Sequence, residues 1–214
     1  MTRKIVTIRG ALLGALALAL AACDSTDPSG DARVQIQLTD APSDYIASAE
    51  VWISRVYLQG GPGDDDQDGD DGDTPQGRKD LFNDPQNPFE VDLLALRDGV
   101  VANLTDSVAV EVGGYKGLRI VVDSAFVTLK TGYTFTGGAT TRKLTIPSGS
   151  TSGIKVQLTG GDIEAEEGEV TTLLVDFDVN ENFVIQGNPT GPVFSGILFT
   201  PVLHEMDREQ DELD

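Results

Sequence analysis

Along residues 33–203 apolar side chains recur at every second position. Residues 33–38 place Val34, Ile36 and Leu38 between polar neighbours, and residues 153–158 do the same with Ile154, Val156 and Leu158. Residues 172–179 set Leu173, Val175, Phe177 and Val179 on one side, against Asp176 and Asp178 on the other. Each run predicts a strand with one buried face. Residues 49–58, 117–129 and 196–203 are more continuously apolar, which predicts central strands or strands covered on both faces. Only residues 90–99 depart from period two enough to hold a helical turn, closed by Asp98-Gly99. The chain has 24 glycines among 214 residues, and they gather between the runs, where turns need them.

Many short strands with one apolar face each are buried most simply by laying one sheet on another. The expectation is therefore an all-β fold: a Greek-key sandwich of two antiparallel sheets with at most one short helix, transthyretin- or immunoglobulin-like in general architecture. Tyr115 follows Gly113-Gly114 and leads into a strand, the place where such a sandwich often ties a corner through a tyrosine hydroxyl.

The first 22 residues break the pattern. Arg3, Lys4 and Arg9 are basic, residues 10–20 are apolar and uncharged, and Leu20-Ala21-Ala22 sets small residues before Cys23. The apolar part is shorter than the roughly 20 residues a membrane-spanning helix needs, so residues 1–22 read as a signal peptide. Cys23 is the one cysteine in the chain and has no intrachain disulfide partner. Leu20-Ala21-Ala22-Cys23 resembles the lipobox of bacterial lipoproteins, which implies cleavage before Cys23 and fatty acylation, palmitate included, of that residue. Two or three acyl chains hold a protein stably at a bilayer, whereas one holds it only marginally. Residues 23–32 then read as a lipidated flexible tether, rich in Ser, Asp, Pro and Gly. The expected location is the cell envelope, facing the periplasm or the cell surface.

Removing residues 1–22 leaves 192 of the 214 residues and moves the formal charge from −20 to about −23. Stability must come from a packed core. So acidic a body lacks the basic footprint that nucleic acid requires. Residues 33–204 form one domain with an acidic insertion at 60–77, and residues 205–214, nearly all charged or polar, read as a disordered acidic tail.

Several stretches add up to a family likeness: residues 38–42 (LTDAP), 91–104, 113–123 (GGYKGLRIVVD), 144–156, 173–179 and 200–203. In order and spacing they resemble the family catalogued as domain of unknown function 4382, whose members are mostly envelope lipoproteins of bacteria and archaea. The resemblance implies a compact β-sandwich on a lipid anchor, with no established reaction and no catalytic positions to carry over. The acidic insertion departs from the shared pattern.

That insertion packs Asp64, Asp65, Asp66, Asp68, Asp70, Asp71 and Asp73 into ten residues. Asp64, Asp66, Asp68 and Gly69 fit the opening half of a calcium loop, where alternate carboxylates converge on a hard cation and glycine permits the turn. Pro75 stands where the closing ligand should be, which leaves Asp73 to close a smaller loop. A solvated Asp/Gly insertion is the plainer reading. Asp176 and Asp178 lie two apart on one strand face, roughly 6.5–7 Å between Cα atoms, a spacing that any such pair has. Asp40 is expected to cap a turn before Pro42. For all three a structural role comes first, a ligand or metal contact second, and hydrolysis last.

Other chemistry is excluded by what is missing. His204 is the single histidine, no G-x-S-x-G elbow occurs, and no glycine-rich phosphate loop follows a strand. Trp52, alone among apolar neighbours, is expected in the core rather than as a sugar platform. The sequence thus points to a non-enzymatic binding or scaffolding module with no required cofactor, membrane-held through lipid, and with an envelope protein or glycan as partner. The alternative is a calcium-dependent adhesion or carbohydrate-binding module built on residues 64–73. A hydrolase using Asp40, Asp176 or Asp178 is the third reading.

Overall fold

The computed structural model describes residues 31–62, 77–146, 152–188 and 190–213. The signal peptide, Cys23 and the Asp-rich stretch with Asp64, Asp66, Asp68 and Asp73 lie outside the described residues. In chain order the strands are β1 (Ala32–Thr39), β2 (Ile46–Gln59), β3 (Lys79–Asn83), β4 (Phe89–Asp92), β5 (Ala102–Asn103), β6 (Val108–Val110), β7 (Gly113–Tyr115) and β8 (Gly117–Leu129). They continue with β9 (Thr134–Phe135), β10 (Thr141–Lys143), β11 (Ile154–Gln157), β12 (Ile163–Ala165), β13 (Glu169–Asp176), β14 (Phe183–Gly187), β15 (Val193–Phe199) and β16 (Leu203–Glu212). A 3-10 turn, Leu93–Leu96, follows β4, and a single α-helical turn, α1 (Val179–Asn182), separates β13 from β14.

The described residues are mostly β-strand, as the period-two pattern predicts, but the strand pairing corrects the expectation of two antiparallel sheets. One mixed sheet runs β3-β2-β8-β11-β16-β13-β1-β5, with β4 beside β2, β10 beside β8 and β6 beside β1. It curls as a half-barrel. β1 pairs parallel with β13 from Arg33–Val170 to Thr39–Asp176, and β11 pairs parallel with β16. Two small sheets complete the fold, β14-β15-β9 and β12-β7. Alternation reports only which face of a strand is buried and is blind to the direction of its neighbour, so the parallel pairs left no trace in the sequence pattern.

The core lies within the curl. Ala32, Val34, Ile36 and Leu38 of β1 are fully buried, and so are Thr171, Leu173 and Val175 of β13 and Val122, Ala125 and Val127 of β8. Each fully buried Val, Leu or Ile contributes about 1.5–3 kcal/mol. Ala32, assigned by sequence to the tether, is thus the first core residue. Phe177, Phe199 and Phe183 stack in series at one end, with centroids 6.3 Å and 4.9 Å apart. Trp52 corrects its expected core role: it is half-buried and meets Phe126 edge-on at 5.4 Å.

Local signals held where side chains dictate backbone. Asp92 caps the 3-10 turn through the Leu94 N–H, and Asp98 and Gly99 follow in the left-handed region at φ 61° and 83°. The Tyr115 hydroxyl donates to the Glu111 carbonyl at 3.0 Å, closing the corner expected of it. Its ring lies so close to Gly61 that a Cβ there would stand 2.4 Å from Cε1, which ties the root of the acidic insertion to this corner.

The tail reading of residues 205–214 is corrected most firmly. Residues through Glu212 form β16, paired antiparallel with β13 from Glu169–Glu212 to Asp176–His204, with a bulge between Leu174 and Val175. Glu205 is 3 % exposed. Its carboxylate accepts from Arg208 Nε at 2.6 Å and from the Thr159 N–H at 2.7 Å, while Arg208 also donates to the Asp162 carbonyl at 2.7 Å. Burial pushes the Glu205 carboxyl up, and Arg208 with the Thr159 and Gly160 N–H groups more than reverse this, holding it below the ordinary range. A charge-rich segment is therefore a strand because its backbone completes β13 and its one buried acid is paired.

Arg208→Ala strands that buried carboxylate, and the expected loss is about 3 kcal/mol in urea unfolding. A loss below about 1 kcal/mol would return the segment to the status of a tail. Since the Glu205 carboxyl is held low, its contribution is present at neutral pH and fades in acid as pH falls through its folded value.

Candidate functional site

β1 and β13 run side by side and end together. The chain leaves β1 at Thr39 into Asp40, and leaves β13 at Asp176 into Phe177 and Asp178. Asp40 and the Asp176/Asp178 pair, noted apart from each other in the sequence, thereby lie at one pole. The Phe177 N–H donates to the Thr39 carbonyl, continuing the ladder one step past the strand end. Asp178 then turns left-handed at φ 31° and caps α1, its Oδ1 accepting from the N–H groups of Asn180 at 3.0 Å and Glu181 at 3.2 Å. The Asp178 N–H donates to Asp176 Oδ1 at 3.0 Å.

Asp40 locks the two loops together. It is 6 % exposed, and its Oδ1 accepts the Val179 N–H at 2.8 Å across 139 positions of sequence. Asn180 Nδ2 donates to the Pro42 carbonyl, and fully buried Asn182 donates to the carbonyls of Phe177 and Val202 while accepting the Val202 N–H. The other Asp40 oxygen, Oδ2, is buried and has no hydrogen-bond partner. Burial, reinforced by the negative charges of Asp176 and Asp178 and opposed by the N–H groups of Val179 and Ala41, raises the Asp40 carboxyl to about 6. Asp176 is raised as well, chiefly by burial.

His204 stands opposite Asp176 in the β13–β16 register, with Nε2 4.0 Å from Glu181 Oε2. It is at the rim of the cluster, in a strand. Among the described residues, no three Asp, Glu or His side chains stand together in a way that could hold a metal as placed. The clefts described lie elsewhere. One of about 370 Å³ is lined by Asp31, Lys79, Glu111 and Glu167 among others, and one of about 160 Å³ by Gly61, Pro62, Gly77, Arg78 and Tyr115. Both are at the pole where β1 begins, opposite the aspartates. Asp40 holds structure, as expected, but by a different bond: it spans two loops rather than capping its own turn alone.

A second grouping escaped sequence reasoning. At the root of the insertion the Tyr57 ring lies beneath two guanidinium groups, Arg55 at 4.9 Å and Arg78 at 4.3 Å, and its hydroxyl donates to the Ser152 carbonyl. Arg55 holds Asp80 through two bonds of 2.7 and 3.0 Å. Lys79 pairs with Leu58, and Arg119 with Tyr57, on the flanking strands. This acidic chain thus concentrates cations where its densest run of aspartates departs and returns. Net charge concealed the patch, and only strand register reveals it.

Comparison with known proteins matches residues 31–191 to the family described as Domain of unknown function (DUF4382). No curated protein and no solved structure matches the chain.

The folded state holds the Asp40 proton more tightly than the unfolded chain, so this residue favours folding fully below about pH 4 and loses that contribution as pH rises through about 6. Asp40→Asn keeps the acceptor for Val179 and removes the charge. In EDTA its melting temperature is expected to exceed wild type at pH 7.5, with a flatter profile between pH 4 and 6 by calorimetry. A variant melting below wild type at pH 7.5 contradicts this.

Proposed function

The chain belongs to the domain of unknown function 4382 family, and from that premise we propose that it is a lipid-anchored envelope protein whose β-domain binds or scaffolds a partner without catalysing a reaction. The observation that carries this reading is the order of features ahead of β1: basic Arg3, Lys4 and Arg9, an uncharged apolar run, then Leu20-Ala21-Ala22-Cys23. The polar residues from Asp24 to Asp31 give the acylated cysteine at most about 3.5 Å of reach per residue.

Under this reading the tether joins the fold at one pole. Asp31 leads into β1, so the pole with Asp31, Glu111, Glu167 and the insertion root is the one next to the tether. The loops carrying Asp40, Asp178 and Glu181 lie about 26 Å away, at roughly 3.3 Å for each of the 8 residues of β1, and are presented to partners. The exposed Val100, Val101, Val184 and Leu198 give the domain apolar contact surface. Acidic loops and strand faces suit a protein partner or a glycan and repel nucleic acid. A second reading, calcium-dependent adhesion, rests on Asp64, Asp66, Asp68 and Asp73 and their D-x-D-x-D-G opening.

Mass spectrometry of the native protein tests the anchor. The expected species begins at Cys23 and carries diacylglyceryl and N-acyl groups, and Cys23→Ser moves the protein out of the detergent phase. A native chain with a bare Cys23 thiol, free in the medium, would overturn the proposal.

A further inference from the structure

Trp52 is the one tryptophan of the chain, and it stands outside the core. Val51 and Ile53 beside it are fully buried, as are Ala125 and Val127 beside Phe126, so strand alternation turns both rings to the outer face of the main sheet. Tyr45, Phe82, Phe89 and Tyr133 are also half-buried, but they pack on the core. Trp52 and Phe126 meet each other instead, with centroids 5.4 Å apart and ring planes at 77°. Strand register surrounds the pair with polar groups. Trp52 lies between Glu90 and Ser124, and Phe126 between Glu50 and Lys143, whose Nζ stands 5.7 Å from the Phe126 centroid. In the next row the hydroxyls of Thr128 and Thr141 share a hydrogen bond of 2.9 Å. Glu50, Glu90, Thr141 and Lys143 are exposed.

We infer that this face binds a neutral glycan chain, one sugar ring of which sits in the corner formed by Trp52 and Phe126. The inference rests on the reading of the domain as a binding module and names its ligand class. The side chains select that class. A pyranose carries apolar C–H groups on its faces and hydroxyls around its rim. The aromatic pair suits the faces, while the Glu50 and Glu90 carboxylates accept from the rim and Lys143 donates to it. The centre of a protein interface is depleted of charged side chains and shielded from water. Here charges of both signs flank the rings directly. A polyanionic chain, nucleic acid or polyuronate, would meet two carboxylates beside the aromatic pair. The site lies apart from the Asp64–Asp73 stretch and needs no metal.

Because Trp52 is the single tryptophan, its fluorescence reads the site directly. The full chain, held in dodecylphosphocholine so that the detergent brings no sugar, is titrated with cellohexaose and with chitohexaose. A saturable change in emission is expected with at least one of them, and hexagalacturonate is expected to bind about tenfold more weakly. By calorimetry, Phe126→Ala is expected to weaken binding about tenfold, and Glu90→Ala and Lys143→Ala about fivefold each. No change in emission with either neutral sugar overturns the inference. So does hexagalacturonate binding as tightly, or an affinity unchanged in Phe126→Ala. Should Phe126→Ala fail to fold, unchanged affinity in both Glu90→Ala and Lys143→Ala overturns it. Acylation of Cys23 is scored on the same native preparation, and an acylated chain that binds neither sugar overturns this inference while leaving the anchor in place.

Discussion

The structure depends on the parallel pairing of β1 with β13. These strands are separated by more than a hundred residues, and no tight turn can join them, so everything between must fold as their crossover. Their register is fixed by burial: β1 alternates buried and half-buried along its whole length, and β13 does so from Thr171 onward. A slip of one residue would turn Val34, Ile36 and Leu38 to solvent. Because the strands are parallel and in step, they end together, and the loops that follow share one pole. β16 then closes the other edge of β13, with Arg208 and Glu205 pinning the loop that runs from β11 toward β12.

This arrangement gives the molecule two ends of different character. Where β1 begins, cationic side chains surround the root of an aspartate-rich insertion, and a tyrosine corner packs on Gly61. Where β1 ends, aspartates gather around a buried carboxylate with few cations to answer them. The polar edge between, with Arg33, Gln35, Gln37 and Thr39 on the half-buried side of β1, is ordinary strand surface. In the proposed function, attachment falls near the first residue of β1 and the partner-facing loops near its last.

Much of the frame was legible from the sequence, and what was missed has physical reasons. β1, β2, β8 and β11 were visible because each buries one face or nearly all of itself. The 3-10 turn and the Tyr115 corner were visible because Asp98-Gly99 and a tyrosine after two glycines impose local geometry. β16 was hidden because its side chains are mostly charged and exposed, while its reason for being a strand is the backbone of β13. The run at 196–203 predicts one strand, yet Pro201 falls between β15 and β16. Asp40, Asp176 and Asp178 were each singled out, but their meeting rests on a contact across 139 positions that no local pattern encodes. Asp178, expected on a strand face, instead starts a helical turn.

The Val179 amide senses this meeting most directly, since its N–H points at the Asp40 carboxylate. Followed by NMR in EDTA from pH 4 to 8, its proton shift should titrate with a midpoint of about 6. A midpoint near the ordinary aspartate value of about 4, or no titration at all, would contradict the burial of the Asp40 carboxylate against the loop that follows β13.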